Sequence, residues 1–121
     1  MRPIIAKTLP EFLDRFTNFK DAEFRSIEVS SATEITLVFA VQDNAREFDW
    51  ITIAFEFSGV EDARLLEKNK LSFIDMREGI SLLDFENKFA FAIGECYNSS
   101  SVVDSTCYVV SKSLKYKEGL F

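Results

Sequence analysis

Between Phe48 and Phe57 the apolar side chains fall on every second residue: Ile51, Ile53, Phe55 and Phe57 alternate with Trp50, Thr52, Ala54 and Glu56. A period of two puts one set on a single face of a β-strand, whereas a helix would scatter the same residues around its axis. The pattern recurs at Ile35, Leu37, Phe39 and Val41, and it begins at Phe24, Ile27 and Val29. A sheet with one apolar face must bury that face against something. The N-terminal segment supplies it, because Leu9, Phe12, Leu13, Phe16 and Phe19 recur at helical spacing, with Pro10 suited to a first turn and Thr8 to Glu11 spaced as a capping box. A helix over residues 9–19 is expected to lie on the sheet.

The remaining elements follow from local punctuation. Ser30-Ser31-Ala32-Thr33 joins two strands, and Asp43-Asn44-Ala45 supplies turn chemistry before the next. Gly59 breaks the alternation as a pivot, with a short helical turn expected after it and a short strand at Leu71 to Ile74. Ile80 to Phe85 and Phe89 to Ile93 read as a hairpin across Glu86-Asn87-Lys88. Tyr97 to Asp104, with its serine run, reads as an exposed loop, and Thr106 to Tyr116 as a final strand. The expected fold is α+β: one domain over residues 1–121, its N-terminal helix packed on a mainly antiparallel, curved sheet of about six strands. A closed small barrel is the alternative.

Composition narrows the chemistry. A 121-residue chain with 47% apolar and 28% charged residues can bury one core and is neither disordered nor low in complexity. It has no His, which removes the commonest general base and metal ligand together. Twenty acidic against fourteen basic residues give −6, which argues against a phosphate backbone as partner and so against nucleic acid. The acid is concentrated from Glu28 to Asp62, where Glu28, Glu34, Asp43, Glu47, Asp49, Glu56, Glu61 and Asp62 oppose Arg46 alone, 1 − 8 = −7. The apolar runs are too short to span a bilayer, no export signal is visible, and two isolated cysteines, Cys96 and Cys107, read as free thiols of a reducing cytoplasm.

Each candidate site also has a plain structural reading. The pairs Asp43 with Asp49 and Asp75 with Glu78 sit in expected turns, without the rigid placement that carboxylate catalysis needs. Asp75-Met76-Arg77-Glu78-Gly79 lacks the alternating oxygen ligands of a calcium loop, and the serines between Ser99 and Thr106 have neither an imidazole nor a nucleophile elbow. No catalytic residue, metal site or cofactor is expected. The thirteen phenylalanines fit a core, or else the lining of a cavity for a small apolar ligand. Trp50, the only tryptophan, alternates away from the core face and is flanked by Glu47, Asp49 and Glu56, the make-up of a protein-binding hot spot.

Two segments carry a resemblance. Phe19-Lys20-Asp21-Ala22-Glu23-Phe24-Arg25-Ser26-Ile27 and Phe57-Ser58-Gly59-Val60-Glu61-Asp62-Ala63-Arg64-Leu65 resemble stretches of small acidic immunity proteins of bacterial polymorphic toxin systems, over residues 19–66. The resemblance implies a non-catalytic cytoplasmic protein that blocks a toxin by occupying its active site or an adjacent surface. The expected partner is thus a protein, a basic toxin domain fitting the charge, with Asp43, Glu47, Asp49, Trp50, Glu56, Glu61 and Asp62 as contact residues. A carrier or sensor of an apolar ligand is the alternative, and a homodimer is left open.

Overall fold

The alternating segments assemble into one sheet that runs through the molecule. The computed structural model describes residues 2–121, and its strands are β1 (Arg2–Pro3), β2 (Glu23–Ser31), β3 (Glu34–Asp43), β4 (Asp49–Arg64), β5 (Ile80–Phe85), β6 (Lys88–Ile93) and β7 (Tyr108–Leu120). Every pairing is antiparallel. The order across the sheet is β2-β3-β4-β7-β6-β5, with β1 beside β7 at Lys115 and Tyr116. Sequence order thus fails at one place, where β7 inserts between β4 and β6. The sheet is open, with β2 and β5 as its edges.

The expected α+β architecture is what forms. Ile35, Leu37, Phe39 and Val41 of β3 and Ile51, Ile53, Phe55 and Phe57 of β4 are buried on one face, which is covered by α1 (Leu9–Arg15) and the short 3-10 turn Thr17–Phe19 that follows it. Phe12 and Phe19 meet Phe55 with ring centroids 5.9 and 5.4 Å apart, and Phe19 meets Phe39 at 5.7 Å. Phe16, Phe19, Phe39, Phe55, Phe57 and Phe91 are fully buried, ring against ring. The interior that might have been a cavity is therefore packed at these positions, and aromatic contacts of this kind add roughly 0.5–1.5 kcal/mol per pair beyond area burial.

Five local expectations are corrected. The helix ends at Arg15 because Thr17, Asn18 and Phe19 take φ values of 53°, 54° and 60°. Thr8 makes no cap, since its hydroxyl donates back to the Ile5 carbonyl at 3.2 Å from within a 3-10 turn, Ala6–Thr8. β4 does not pause at Gly59: this residue takes φ of 67° between positions that keep their register with β7, the bulge falls between Val60 and Asp62, and the strand continues to Arg64. Lys68–Phe73 is a 3-10 helix and not a strand. Ser99–Val103 is a short helix, α2, capped by Asn98, whose side-chain oxygen accepts from the Ser101 N–H at 2.9 Å while the Ser101 hydroxyl accepts from the Asn98 N–H at 3.2 Å. Val102 of α2 caps a second, smaller apolar cluster with Ala90, Ala92, Cys96 and Tyr108 on the opposite face of the sheet from α1. No helix among the described residues is long and apolar enough to cross a membrane.

Candidate functional site

The connection from β3 to β4 is where the expected contact residues converge. Asp43 ends β3, and its Oδ1 accepts from the Ala45 N–H at 2.9 Å, which starts the 3-10 turn Asn44–Arg46. Its backbone carbonyl accepts from the Phe48 N–H at 2.9 Å. Glu47 and Phe48 close the turn with φ of 56° and 68°. For a bulky residue such as phenylalanine that conformation is an outlier held by its surroundings. The turn is tied down from α1 as well, through Asn44, whose amide donates to the Asp14 carbonyl at 3.3 Å.

Asp43 itself faces inward, which corrects its assignment to the contact surface. Its side chain has no exposure, and it takes two hydrogen bonds from Arg15, Nε to Oδ1 at 2.9 Å and Nη2 to Oδ2 at 2.6 Å. Arg15 Nη2 also donates to Glu118 Oε1 at 2.6 Å, and Arg46 Nε stands 3.4 Å from Asp43 Oδ2. The Arg15 fork holds the Asp43 carboxyl below its ordinary range against the opposing effect of burial, and the same bonds raise the Arg15 guanidinium. Asp43 therefore positions the turn that carries the other residues.

What the turn displays is aromatic. Phe48 is 59% exposed and Trp50 39%, and Phe121 at the end of β7 is 60% exposed. Trp50 and Phe121 lie with ring centroids 5.7 Å apart, and the Arg25 guanidinium from β2 stands 4.5 Å above the Phe121 ring. Trp50 was expected to face away from the core, and it does: the α1 side of the sheet is the other face. Glu47 and Asp49 are exposed beside it. Phe48, Phe121 and Arg25 are additions that sequence reasoning missed, because sheet order alone sets the end of β7 beside β4, and Arg25 reaches Phe121 from β2 by the length of its side chain. A phenylalanine beside a turn was a weak signal for the first of them.

The other acidic residues disperse. Glu56 lies half-buried, with Lys115 of β7 directly across from it, and the next such pair is Ala54 with Lys117. Glu61 takes an ion pair from Lys88 at 2.8 Å, which holds its carboxyl below the usual range, and Asp62 accepts from the Tyr108 hydroxyl at 3.0 Å. Eleven residues of strand separate Trp50 from Glu61, up to roughly 36 Å at ~3.3 Å per residue. The acidic stretch of sequence is thus laid against basic β7 and other cations, and the acid left without such a neighbour at the aromatic patch is Glu47 and Asp49.

Elsewhere, an open groove of about 950 Å³ has Leu66, Phe73, Ile74 and Ile93 among its walls, together with the charged Lys70, Asp75, Glu78 and Asp104. Phe73 is the only phenylalanine lining it. Asp75 is held by Arg77 through bonds of 2.7–3.2 Å, which bring its carboxyl to about 2. Both cysteines are free and buried; burial pushes the Cys107 thiol up to about 11 and raises Cys96 as well. No group of three or more Cys, Asp or Glu side chains among the described residues is placed to hold a metal ion. Comparison with protein-family models, with curated proteins and with solved structures finds no match to this chain.

Proposed function

We propose that the chain is a non-catalytic protein-binding module whose contact surface is the aromatic patch of Phe48, Trp50 and Phe121, edged by Glu47 and Asp49. The observation that carries this reading is Phe48: a strained backbone presents a large apolar side chain to solvent instead of turning it inward. Aromatic anchors of this kind dominate interface energies, and adjacent charge steers encounter. Within this class we favour an immunity-type inhibitor that neutralises a bacterial toxin, because of the resemblance over residues 19–66. The acidic rim at Glu47 and Asp49 suits a basic toxin domain. Asp43 supports the surface from beneath, while Glu56, Glu61 and Asp62 fall outside it.

The test is binding and neutralisation by variants. Phe48→Ser and Trp50→Ala are expected to weaken capture of the partner at least tenfold and to abolish protection of cells expressing it, with unfolding temperatures changed only modestly. Glu47→Lys and Asp49→Lys should slow association, more so at low salt. Variants that bind and protect like the parent would overturn the assignment. An apolar-ligand carrier is the second reading, favoured by the groove beside Phe73 and Ile74; it predicts a retained small-molecule adduct in native mass spectrometry, lost on Ile74→Asp.

A further inference from the structure

Trp50 and Phe121 hold one face of the sheet at its end, and the other face is bare there as well. Register sets Leu120 of β7 directly across from Ile51 of β4, so these two side chains share the α1 face, whereas Trp50 alternates to the opposite one. Ile51 is buried, yet Leu120 is 95% exposed. The α1 layer stops short of it. α1 ends at Arg15, whose guanidinium bonds Glu118, two positions back along β7, and Asp43 of β3. Asp49, across from Asp43, is exposed on that same side.

Large apolar groups therefore stand on both faces of one sheet end: Leu120 on the α1 side, Trp50 against Phe121 on the other, and Phe48 exposed at the turn. Only the sheet itself separates them, a slab about 10 Å thick. A flat surface resting on Trp50 would leave Leu120 in water, whereas a concave one buries both faces at once. The charges around this end are also largely settled within the fold. Arg15 and Arg46 face Asp43 and Glu118, and Arg25 faces Glu23 at 3.4 Å. Lys117 lies opposite Ala54, back from the end. Glu47 and Asp49 enter no ion pair among the described residues, so the surplus charge at this end is negative.

We propose that this end of the sheet inserts into a cleft of the partner protein, with one wall against Trp50 and Phe121, the other against Leu120, and cations at the lip facing Glu47 and Asp49. The proposal rests on the protein-binding reading and adds the shape of the partner: a concave site about 10 Å across, apolar on both walls and basic at its mouth. Leu120 becomes a contact residue equal in standing to Trp50, from the opposite face.

Hydroxyl-radical footprinting of the full chain, free and bound, tests the insertion. The probe is the dominant protein that the tagged parent retains from lysate of its native host, purified and added back. Oxidation of Leu120 and of Trp50 is expected to fall together on binding. Leu120→Ser should weaken the complex at least about fivefold by titration. Its melting temperature should match the parent's, because the side chain it truncates packs against nothing. Protection of Trp50 with Leu120 labelled as in the free protein overturns the cleft and leaves the protein-binding reading standing, as does a Leu120→Ser variant that binds like the parent. Labelling unchanged at Phe48, Trp50 and Leu120 alike, or a parent that retains no protein, overturns that reading and the cleft with it.

Discussion

Replacing Arg15 with Met removes the cation that faces a fully buried carboxylate. Three hydrogen bonds go with it, to Asp43 at 2.9 and 2.6 Å and to Glu118 at 2.6 Å. Breaking one partner out of a buried pair costs about 3–5 kcal/mol, because the remaining charge is left desolvated. Two features place this site at the lower end: Arg15 retains 26% side-chain exposure, and Arg46 remains 3.4 Å from Asp43. The expected loss is about 3 kcal/mol. With an unfolding entropy of about 2.1 cal/mol/K per residue, or ~0.25 kcal/mol/K for this chain, it lowers the melting temperature by about 12 °C. The pH dependence supplies the sharper test. In the parent the Asp43 carboxyl lies below its unfolded value near 3.9, so its contribution is fully present above that pH and is lost as pH falls through the folded value. Without Arg15 the buried carboxylate is driven the other way, and acidification relieves the penalty. Thermal melts followed by circular dichroism should therefore show the gap between parent and Arg15→Met narrowing from pH 7 to pH 4, and Asp43→Asn in the variant background should recover part of the loss at pH 7. A loss under about 1 kcal/mol, or a gap that does not change with pH, would refute the assignment of Asp43 as a buried anion held by Arg15.

Other outcomes follow from single features. Gly79→Ala should destabilise the fold by at least about 2 kcal/mol, since φ is 73° and a Cβ would stand 2.0 Å from the Asn18 carbonyl oxygen; chemical denaturation measures it. Cys96 and Cys107 should resist a thiol reagent at pH 8 in the folded protein and react at once in urea, being buried with raised pKa values. Trp50, the sole tryptophan and partly exposed, should be quenched by acrylamide in the free protein and protected when the partner is bound. Asn98→Ala should cost about 1 kcal/mol by removing the cap of α2, read in the same denaturation experiment.

Much of this architecture is legible in the sequence, for an identifiable reason. The inward sets of β3 and β4 are long, strictly alternating and aromatic, so a one-residue slip would expose the whole core face. The hairpin at Glu86-Asn87 is written in its turn residues. The shorter signals were ambiguous. Four residues at Leu71 to Ile74 cannot separate a strand from a 3-10 turn, and only Leu71 of that helix is buried. The serine run hid an Asn98 to Ser101 capping pair whose meaning depends on Val102 reaching the sheet. Gly59 reads as a stop until β7 is known to run alongside, in register past it to a bulge between Val60 and Asp62. The candidate site was partly legible on the same terms. Trp50 followed from alternation, whereas the burial of Asp43 and the arrival of Phe121 and Arg25 depend on which strands become neighbours. Counting charge along the chain overstated the acidity of the surface because β7 brings Lys115 and Lys117 across from β4.

The central claim is that Phe48 and Trp50 bind a protein. Tagged parent and the Phe48→Ser/Trp50→Ala double variant, used side by side to capture proteins from lysate of the native host at low and high salt, put it to the test most directly. The account predicts one dominant basic partner, retained by the parent more strongly at low salt and absent from the double variant, whose fold is verified by its melting curve. Equal capture of that partner by parent and variant would contradict it.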